Sequence, residues 1–351
     1  MSFTVCFLTG LLSHLHQNPL SWLTLPSRPA GFYRLTQGLH VVSGVASIPL
    51  LLGKLWAVYP QLWTKPTFSG VANAVERLSL IPLVAGSLFL FFTGTINIAY
   101  WYAPMKFYFT AGHYWAAWIT IGALIAHIGA KLAITRVALS KRSPDLSEPA
   151  GGGLSRRGFV TALGLTSGVL VVSILGQTVT VLRRVSVLAP RRPDFGPQGF
   201  PINRSAVQAA IDPATVAEGV FALSVEGKVA QALQLSLADL RTIPQREATL
   251  PIACVEGWSY SARWRGVALR ELLARAGASL DASVRIESLE AQGVYRTSPL
   301  NHVQAHDRDT LLALELEGEP LALDHGFPLR LISPNRPGVQ QTKWVHKVVV
   351  L

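Results

Sequence analysis

Cysteine is nearly absent: Cys6 and Cys254 are the only two in 351 residues. Two thiols in different halves of the chain cannot staple a small secreted fold, so a disulfide framework is excluded. Charge is scarce too. Only 15% of residues are Asp, Glu, Lys or Arg, while half are hydrophobic, a balance that points to membrane-embedded segments. Acidic residues are missing almost entirely from one part: residues 1–192 hold 3 Asp+Glu against 16 Lys+Arg, whereas residues 193–351 hold 17 against 15. The net charge of +11 therefore flanks apolar runs and leaves the polar half slightly acidic. That distribution is a membrane protein's, and it excludes nucleic acid as a partner. No internal repeat and no Cys-x-x-Cys pair is present.

Four apolar stretches, about 35–57, 77–100, 112–138 and 158–182, are long enough to cross a hydrocarbon core of roughly 30 Å. A fifth, "FTVCFLTGLLSHL" at 3–15, is too short to cross and lacks the basic start and small-residue cleavage site of a signal peptide. It is expected to be the remainder of a truncated first helix, with a short interfacial segment as the alternative. The segment 140–157 reads as a charged Pro/Gly/Ser loop, and 183–201 as a Pro-rich linker. Lys54, Lys65, Arg77, Lys131, Arg136, Lys141, Arg142, Arg156 and Arg157 lie in the loops at 54–77 and 131–157. Placing those loops in the cytoplasm puts the C-terminal part outside, although Arg183, Arg184, Arg191 and Arg192 then lie outside as well. "SRRGFV" at 155–160 resembles a twin-arginine export signal ahead of a mildly hydrophobic helix. An ordinary basic helix end is the alternative reading.

His40, His113 and His127 fall within apolar stretches, where an ionisable side chain is expensive and points to function. His113 and His127 are 14 residues apart, which on a helix brings them within about 40° of one face and about 21 Å apart along it. One helix can thus offer two imidazoles for two stacked haems. The helices resemble the di-haem b-type cytochrome subunits that anchor formate dehydrogenases. The resemblance implies that His40 and His113 face each other across an outer haem. The partner of His127 would fall where the first helix is cut, so one haem or two stays open.

From about 202 the text changes to short β-like runs, "VFALSVEG", "SVRIESLE", "PLRLISP" and "KWVHKVVVL", with helical patterns such as "SLADLRTIP" and "GVALRELLARAGA" between them. Cys254 lies here, in "IACVEGWSYSARWRG". A thiolate is a soft ligand suited to a redox metal, and without a nearby His or Cys it is no zinc site; a buried cysteine is otherwise a small hydrophobe. The segment "LPIACVEGWSYSARWRGVALRELLARAGA" resembles the part of the sulfite oxidase family in which one cysteine binds molybdenum, leading into a Trp-x-Gly turn and a short helix. "GEPLALDHGFPLRLISPNRPGVQQTKW" resembles that family's cofactor-binding tail. The likeness extends from about 215 to 351, and more distantly to the periplasmic methionine sulfoxide reductases. It implies molybdopterin, with His325, Arg330 and Lys343 at the pterin or its phosphate, the Gly338 loop giving close backbone approach, and Asn203 at the cofactor edge. Tyr295, with Arg296 and Ser298, falls in the region comparable to the family's substrate site. With "KWVHKVVVL" as the last stretch, dimerisation through the family's C-terminal immunoglobulin-like domain is not expected.

The expected architecture is an all-α membrane bundle, four full transmembrane helices plus a truncated first, followed by an α+β molybdopterin domain of sulfite oxidase type. The expected boundaries are 1–140 for the haem-b helical domain, 141–201 for loop, last helix and linker, and 202–351 for the oxidoreductase domain. The chain is expected in the plasma membrane with its C-terminal domain extracytoplasmic, exchanging electrons between a molybdenum centre and quinone through haem b while acting on a small-molecule substrate. A reductase of sulfoxide-like substrates running the other way, a non-catalytic binding module on a helical anchor, and a cytochrome that only relays electrons are the alternatives.

Overall fold

The computed structural model describes residues 2–20, 22–60, 70–140, 155–189 and 196–351. Most of the loop expected at 140–157, residues 190–195 of the linker, and Lys65, Lys141, Arg142, Arg191 and Arg192 lie outside the described residues. Contacts divide the chain into two compact units. One comprises Met1–Leu8, Leu39–Gly176 and Arg184–Pro190, the other Thr9–Gly38, Gln177–Arg183 and Arg191–Leu351. This departs from a boundary near 202, because residues 9–38 and 177–183 make their contacts with the C-terminal residues.

The first unit draws on five helices: α1 (Ser2–Gln17), α2 (Phe32–Val58), α3 (Val71–Ile98), α4 (Phe109–Ser140) and α5 (Arg156–Leu175). Within them Phe32–Val58, Asn73–Ile98, Phe109–Leu132 and Arg156–Leu175 are long and apolar enough to cross a membrane. Only 6–22% of each of those four apolar windows is buried, so their outer faces call for lipid. The 16 residues of α1 rise about 24 Å, short of the roughly 30 Å core. Helices α3 and α4 approach closely at Gly86, where a Cβ would stand 2.2 Å from Thr120 Oγ1; small residues at such crossings let membrane helices pack without an apolar driving force.

Helix α5 stops at Leu175, seven residues before the end expected from hydropathy. The apolar text continues, but Ser186 returns to the helix end. Its hydroxyl accepts from Gly176 N–H at 2.7 Å and donates to Val172 O at 2.5 Å, and Leu188 N–H donates to Ser173 O at 2.9 Å. Those bonds satisfy carbonyls that another helical turn would have used. At the other end Ser155 of "SRRGFV" is the N-cap, accepting from Gly158 N–H at 3.1 Å, and Arg156 and Arg157 are exposed in the first turn.

The second unit has ten strands: β1 (Ala222–Gly227), β2 (Leu233–Ser236), β3 (Gln245–Ala253), β4 (Ser259–Ala268), β5 (Val284–Ser288), β6 (Thr297–Leu300), β7 (Leu311–Leu316), β8 (Glu319–Pro320), β9 (Arg330–Ile332) and β10 (Val345–Val350). Three short helices join them: α6 (Leu237–Thr242), α7 (Leu269–Arg275) and α8 (His302–Ala305). One sheet runs β2-β1-β10-β5-β6, antiparallel except where β1 and β10 lie parallel. The other runs β3-β4-β7-β8, with β9 also on β7. Leu269, Leu272 and Leu273 of α7 recur at helical spacing and are fully buried in the core with Val225, Ile286 and Val348 of the first sheet.

Strands β3 and β4 form a hairpin that a polar, aromatic text concealed. Its ladder pairs Gln245 with Val267 through to Ala253 with Ser259, leaving Cys254–Trp258 as the connecting loop. The "Trp-x-Gly turn" expected at 264–266 is instead strand: Trp264 is fully buried and Gly266 sits beside a register shift where β4 crosses β7. A Cβ on Gly266 would stand 2.1 Å from Leu312 O and 2.6 Å from Ala313 Cα, both backbone atoms that cannot give way. Gly266→Ala is therefore expected to destabilise the unit by about 2–3 kcal/mol, read as a lowered thermal midpoint.

Candidate active site

The loop at the tip of the β3–β4 hairpin is closed on itself. Cys254 N–H donates to Trp258 O at 2.8 Å and Gly257 N–H donates to Cys254 O at 3.0 Å. Gly257 takes φ +90°, a value that favours glycine. Trp258 is pinned by a bond from its indole N–H to Glu256 Oε2 at 3.0 Å, and its ring meets Phe200 edge-on at 5.8 Å between centroids. Cys254 is 1% exposed, and neither it nor Cys6 forms a disulfide.

Pro201, Ile202, Asn203, Ile252, Cys254, Trp258, Arg330, Gly338 and Lys343 line one recess. Five residues singled out from the sequence, Asn203, Cys254, Arg330, Gly338 and Lys343, are thus brought together from segments 140 positions apart in the chain. Gly338 comes close because Pro337 bridges to Ala253, and a Cβ at 338 would meet Ala253 O and Ile252 Cγ2 at 3.0 Å. Arg330 lies 5.5 Å from the Trp264 ring centre and donates from Nη1 to His325 O at 3.1 Å, while its Nε is buried with no partner. Lys343 Nζ donates to Asp324 O at 3.0 Å and to Arg204 O, and stands 4.4 Å from the Trp344 ring centre. Among the described residues neither cation forms an ion pair with a carboxylate. Burial pushes Arg330 down to about 9, which leaves it charged at neutral pH, and burial together with the Arg330 charge pushes Lys343 down to about 7.

Other expected site residues lie elsewhere. His325 is fully buried but does not line the recess. Its Nε2–H donates to Pro197 O at 2.7 Å and its Nδ1 is without a partner; burial and the Arg330 charge hold it down to about 4, so it is neutral and supports Arg330 through its carbonyl. Tyr295 does not line the recess either, its hydroxyl donating instead to Gln17 Oε1 at 3.4 Å. Ser298 is buried and accepts from Thr342 Oγ at 2.7 Å, and Arg296 borders a different, open recess with Arg285, Glu287 and His346. Two residues escaped the sequence reading. Phe200 is the ring against which Trp258, Tyr260, Trp264 and His325 all pack edge-on. Arg336 is buried with two of its nitrogens unpartnered; its text, "NRPG", reads as an exposed turn.

In the helical unit His40 and His113 come together, their ring centres 6.2 Å apart at 76°. Each is anchored through Nδ1: His40 donates to Cys6 O at 2.8 Å, and His113 meets Thr93 Oγ1 at 2.9 Å. His127 is not part of this pair; it is half-buried and its Nδ1 has no partner.

Residues 209–351 match the oxidoreductase molybdopterin binding domain. Similar proteins include mitochondrial sulfite oxidase of Mus musculus, 34% identical over 146 residues, 34% of this chain and 27% of that one. A candidate protein-methionine-sulfoxide reductase subunit, YedZ1 of Azospira oryzae, is 32% identical over 130 residues, 37% of this chain and 48% of that one. The uncharacterised oxidoreductase YuiH of Bacillus subtilis is 34% identical over 127 residues, 36% of this chain and 63% of that one. The chain thus spans between about a quarter and two thirds of these relatives. The C-terminal unit contains a region that matches a molybdopterin-binding oxidoreductase domain and is similar to oxidoreductases. That region is similar in sequence to sulfite oxidase.

The residues suit such a group. A soft sulfur stands at the wall of the recess, two buried cations stand there without an ion-paired carboxylate among the described residues, and a glycine gives close backbone approach. The free-chain value of Lys343 is about 10.4, so between about 7 and 9 the unfolded chain binds a proton that the folded, cofactor-free protein has released. Stability of the cofactor-free protein is expected to rise with pH across that window. Lys343→Met is expected to flatten the rise, as measured by thermal midpoints over the same range.

Proposed function

We propose that this chain is a membrane-anchored molybdoenzyme that exchanges electrons between a molybdenum centre held by Cys254 and the membrane quinone pool through haem b. The observation that carries the reading is the convergence of Cys254, Arg330, Lys343, Gly338 and Asn203 on one recess. Molybdenum bound there supplies a two-electron, oxygen-atom type of redox chemistry. The protein's own contributions are separable. Cys254 supplies the thiolate, on a loop whose internal bonds hold the sulfur at the recess wall. Arg330 and Lys343 hold the anionic end of the pterin, and desolvation strengthens their attraction for it. Asn203 borders the same recess and takes the cofactor edge.

His40 and His113 would hold the haem. Imidazole nitrogens about 2 Å from a metal put two opposed ring centres roughly 6 Å apart, and the observed 6.2 Å suits that arrangement. Anchoring each ring at Nδ1 favours Nε2 as the ligand nitrogen. His127 would serve a second haem only with a further ligand. The C-terminal unit would lie outside the plasma membrane, supported by the basic residues of the loops at 54–77 and 131–157. Oxidation of a small anion feeding quinone and quinol-driven reduction of a sulfoxide-like substrate use the same parts, and the likeness to YedZ1 supports the second.

Purified protein is expected to hold about one molybdenum per chain, with Cys254→Ser lowering turnover below roughly a hundredth while the haem spectrum persists. His113→Ala is expected to do the opposite, losing haem absorbance and keeping molybdenum. Full turnover in Cys254→Ser would overturn the proposal.

A further inference from the structure

Residues 9–38 belong by their contacts to the C-terminal unit, although they come from the end of α1, the start of α2 and the turn between. Their hold on that unit is dense and specific. Arg28 pairs with Asp307, Nη2 to Oδ1 at 2.8 Å, and with Asp309. Asn335, in the left-handed region at φ +54°, acts as a clip: its Oδ1 accepts from Tyr33 N–H at 2.8 Å and its Nδ2 donates to Pro26 O at 2.7 Å. Its own N–H donates to Ala30 O at 3.1 Å, and Ala30 packs against the core cluster that contains Cys254 and Trp258. Gln340, two residues beyond Gly338, donates to Gln17 O at 2.9 Å. Two loops of the recess, the one after Cys254 and the one around Gly338, therefore rest on this segment.

A buried polar chain runs through it. Ser13 has one proton, and it goes to Gln37 Oε1 at 3.0 Å. The 3.1 Å contact between Ser13 Oγ and the Tyr33 hydroxyl must then be donated by Tyr33. Gln37 in turn donates from Nε2 to Val255 O at 3.3 Å, the carbonyl of the residue after Cys254. Tyr33 is 1% exposed, so the chain from its hydroxyl through Ser13 and Gln37 to the Val255 carbonyl begins in the interior. At low dielectric, successive hydrogen bonds of such a chain strengthen one another.

We propose that residues 9–38 buttress the molybdenum site, and that Tyr33, acting through Ser13 and Gln37 on the Val255 carbonyl, is a positioning residue for the loop that carries the Cys254 sulfur. The proposal rests on the reading that Cys254 holds molybdenum. In that role Tyr33 is a further residue of the site, supplied by sequence lying about 180 positions ahead of the domain's matched region.

The test uses the full-length, cofactor-loaded protein. In Tyr33→Phe, molybdenum per chain is expected to equal wild type, while the electron paramagnetic resonance spectrum of the half-reduced metal shifts. Turnover is expected to fall about tenfold at unchanged KM, the size of one lost buried hydrogen bond. Ser13→Ala, which leaves the ring and its packing in place, is expected to shift the same spectrum in the same direction by less. Spectra superimposable on wild type in both variants, with or without a lowered thermal midpoint, overturn the proposal, because a buttress that only packs moves stability alone. Full turnover in Cys254→Ser overturns instead the reading beneath it, whatever Tyr33→Phe does.

Discussion

Positive charge held inside protein without a carboxylate in direct contact is the condition on which the recess of the C-terminal unit is organised. Burying a guanidinium and an ammonium costs several kcal/mol each unless something polar meets them. Among the described residues the direct partners of Arg330 and Lys343 are neutral: the carbonyls of His325, Arg204 and Asp324, and the faces of Trp264 and Trp344. A carboxylate would relieve that cost and also cancel the attraction for an anionic ligand. The carbonyls that satisfy the donors come from the 204 and 324 regions, and the ring below Arg330 comes from β4, so charge, sulfur and glycine are held by a single arrangement of distant segments.

How much of this could be read from the text differs from element to element. Strands β1, β5, β9 and β10 are apolar runs between turn residues, and their period announces them. The β3–β4 hairpin hid because its loop-facing text is polar and aromatic, and because Trp264 and Gly266 look like a turn when Gly266 is a glycine demanded by a neighbouring backbone. Cys254, Arg330, Gly338, Lys343 and Asn203 were legible through the order of motifs, and the recess unites them. His325 and Tyr295 were legible as residues but not as neighbours: a buried carbonyl takes the imidazole, and Gln17 takes the phenol. No local pattern marks Tyr33 or Arg336, whose surroundings are made by segments far away in sequence.

The helical unit shows the complementary economy. Its polar side chains are few and bonded largely to helix carbonyls, as Ser43 is to Leu39 O, Thr93 to Phe89 O and Thr120 to Ala116 O, which removes their cost in an apolar setting. Against that background the imidazoles of His40 and His113 stand out, since each takes a polar neighbour outside its own helix at Nδ1.

The contacts of residues 9–38 also govern when the chain can finish folding. Tyr33 and Asn335 are 302 positions apart, and Gln17 and Gln340 are 323 apart. The first part of the C-terminal unit to leave the ribosome thus waits for nearly the last, with four apolar helices made in between. Closing so long a loop is entropically slow, so the N-terminal segment must stay unpaired through almost the whole of synthesis, and a nascent chain halted before residue 335 would lack both clips.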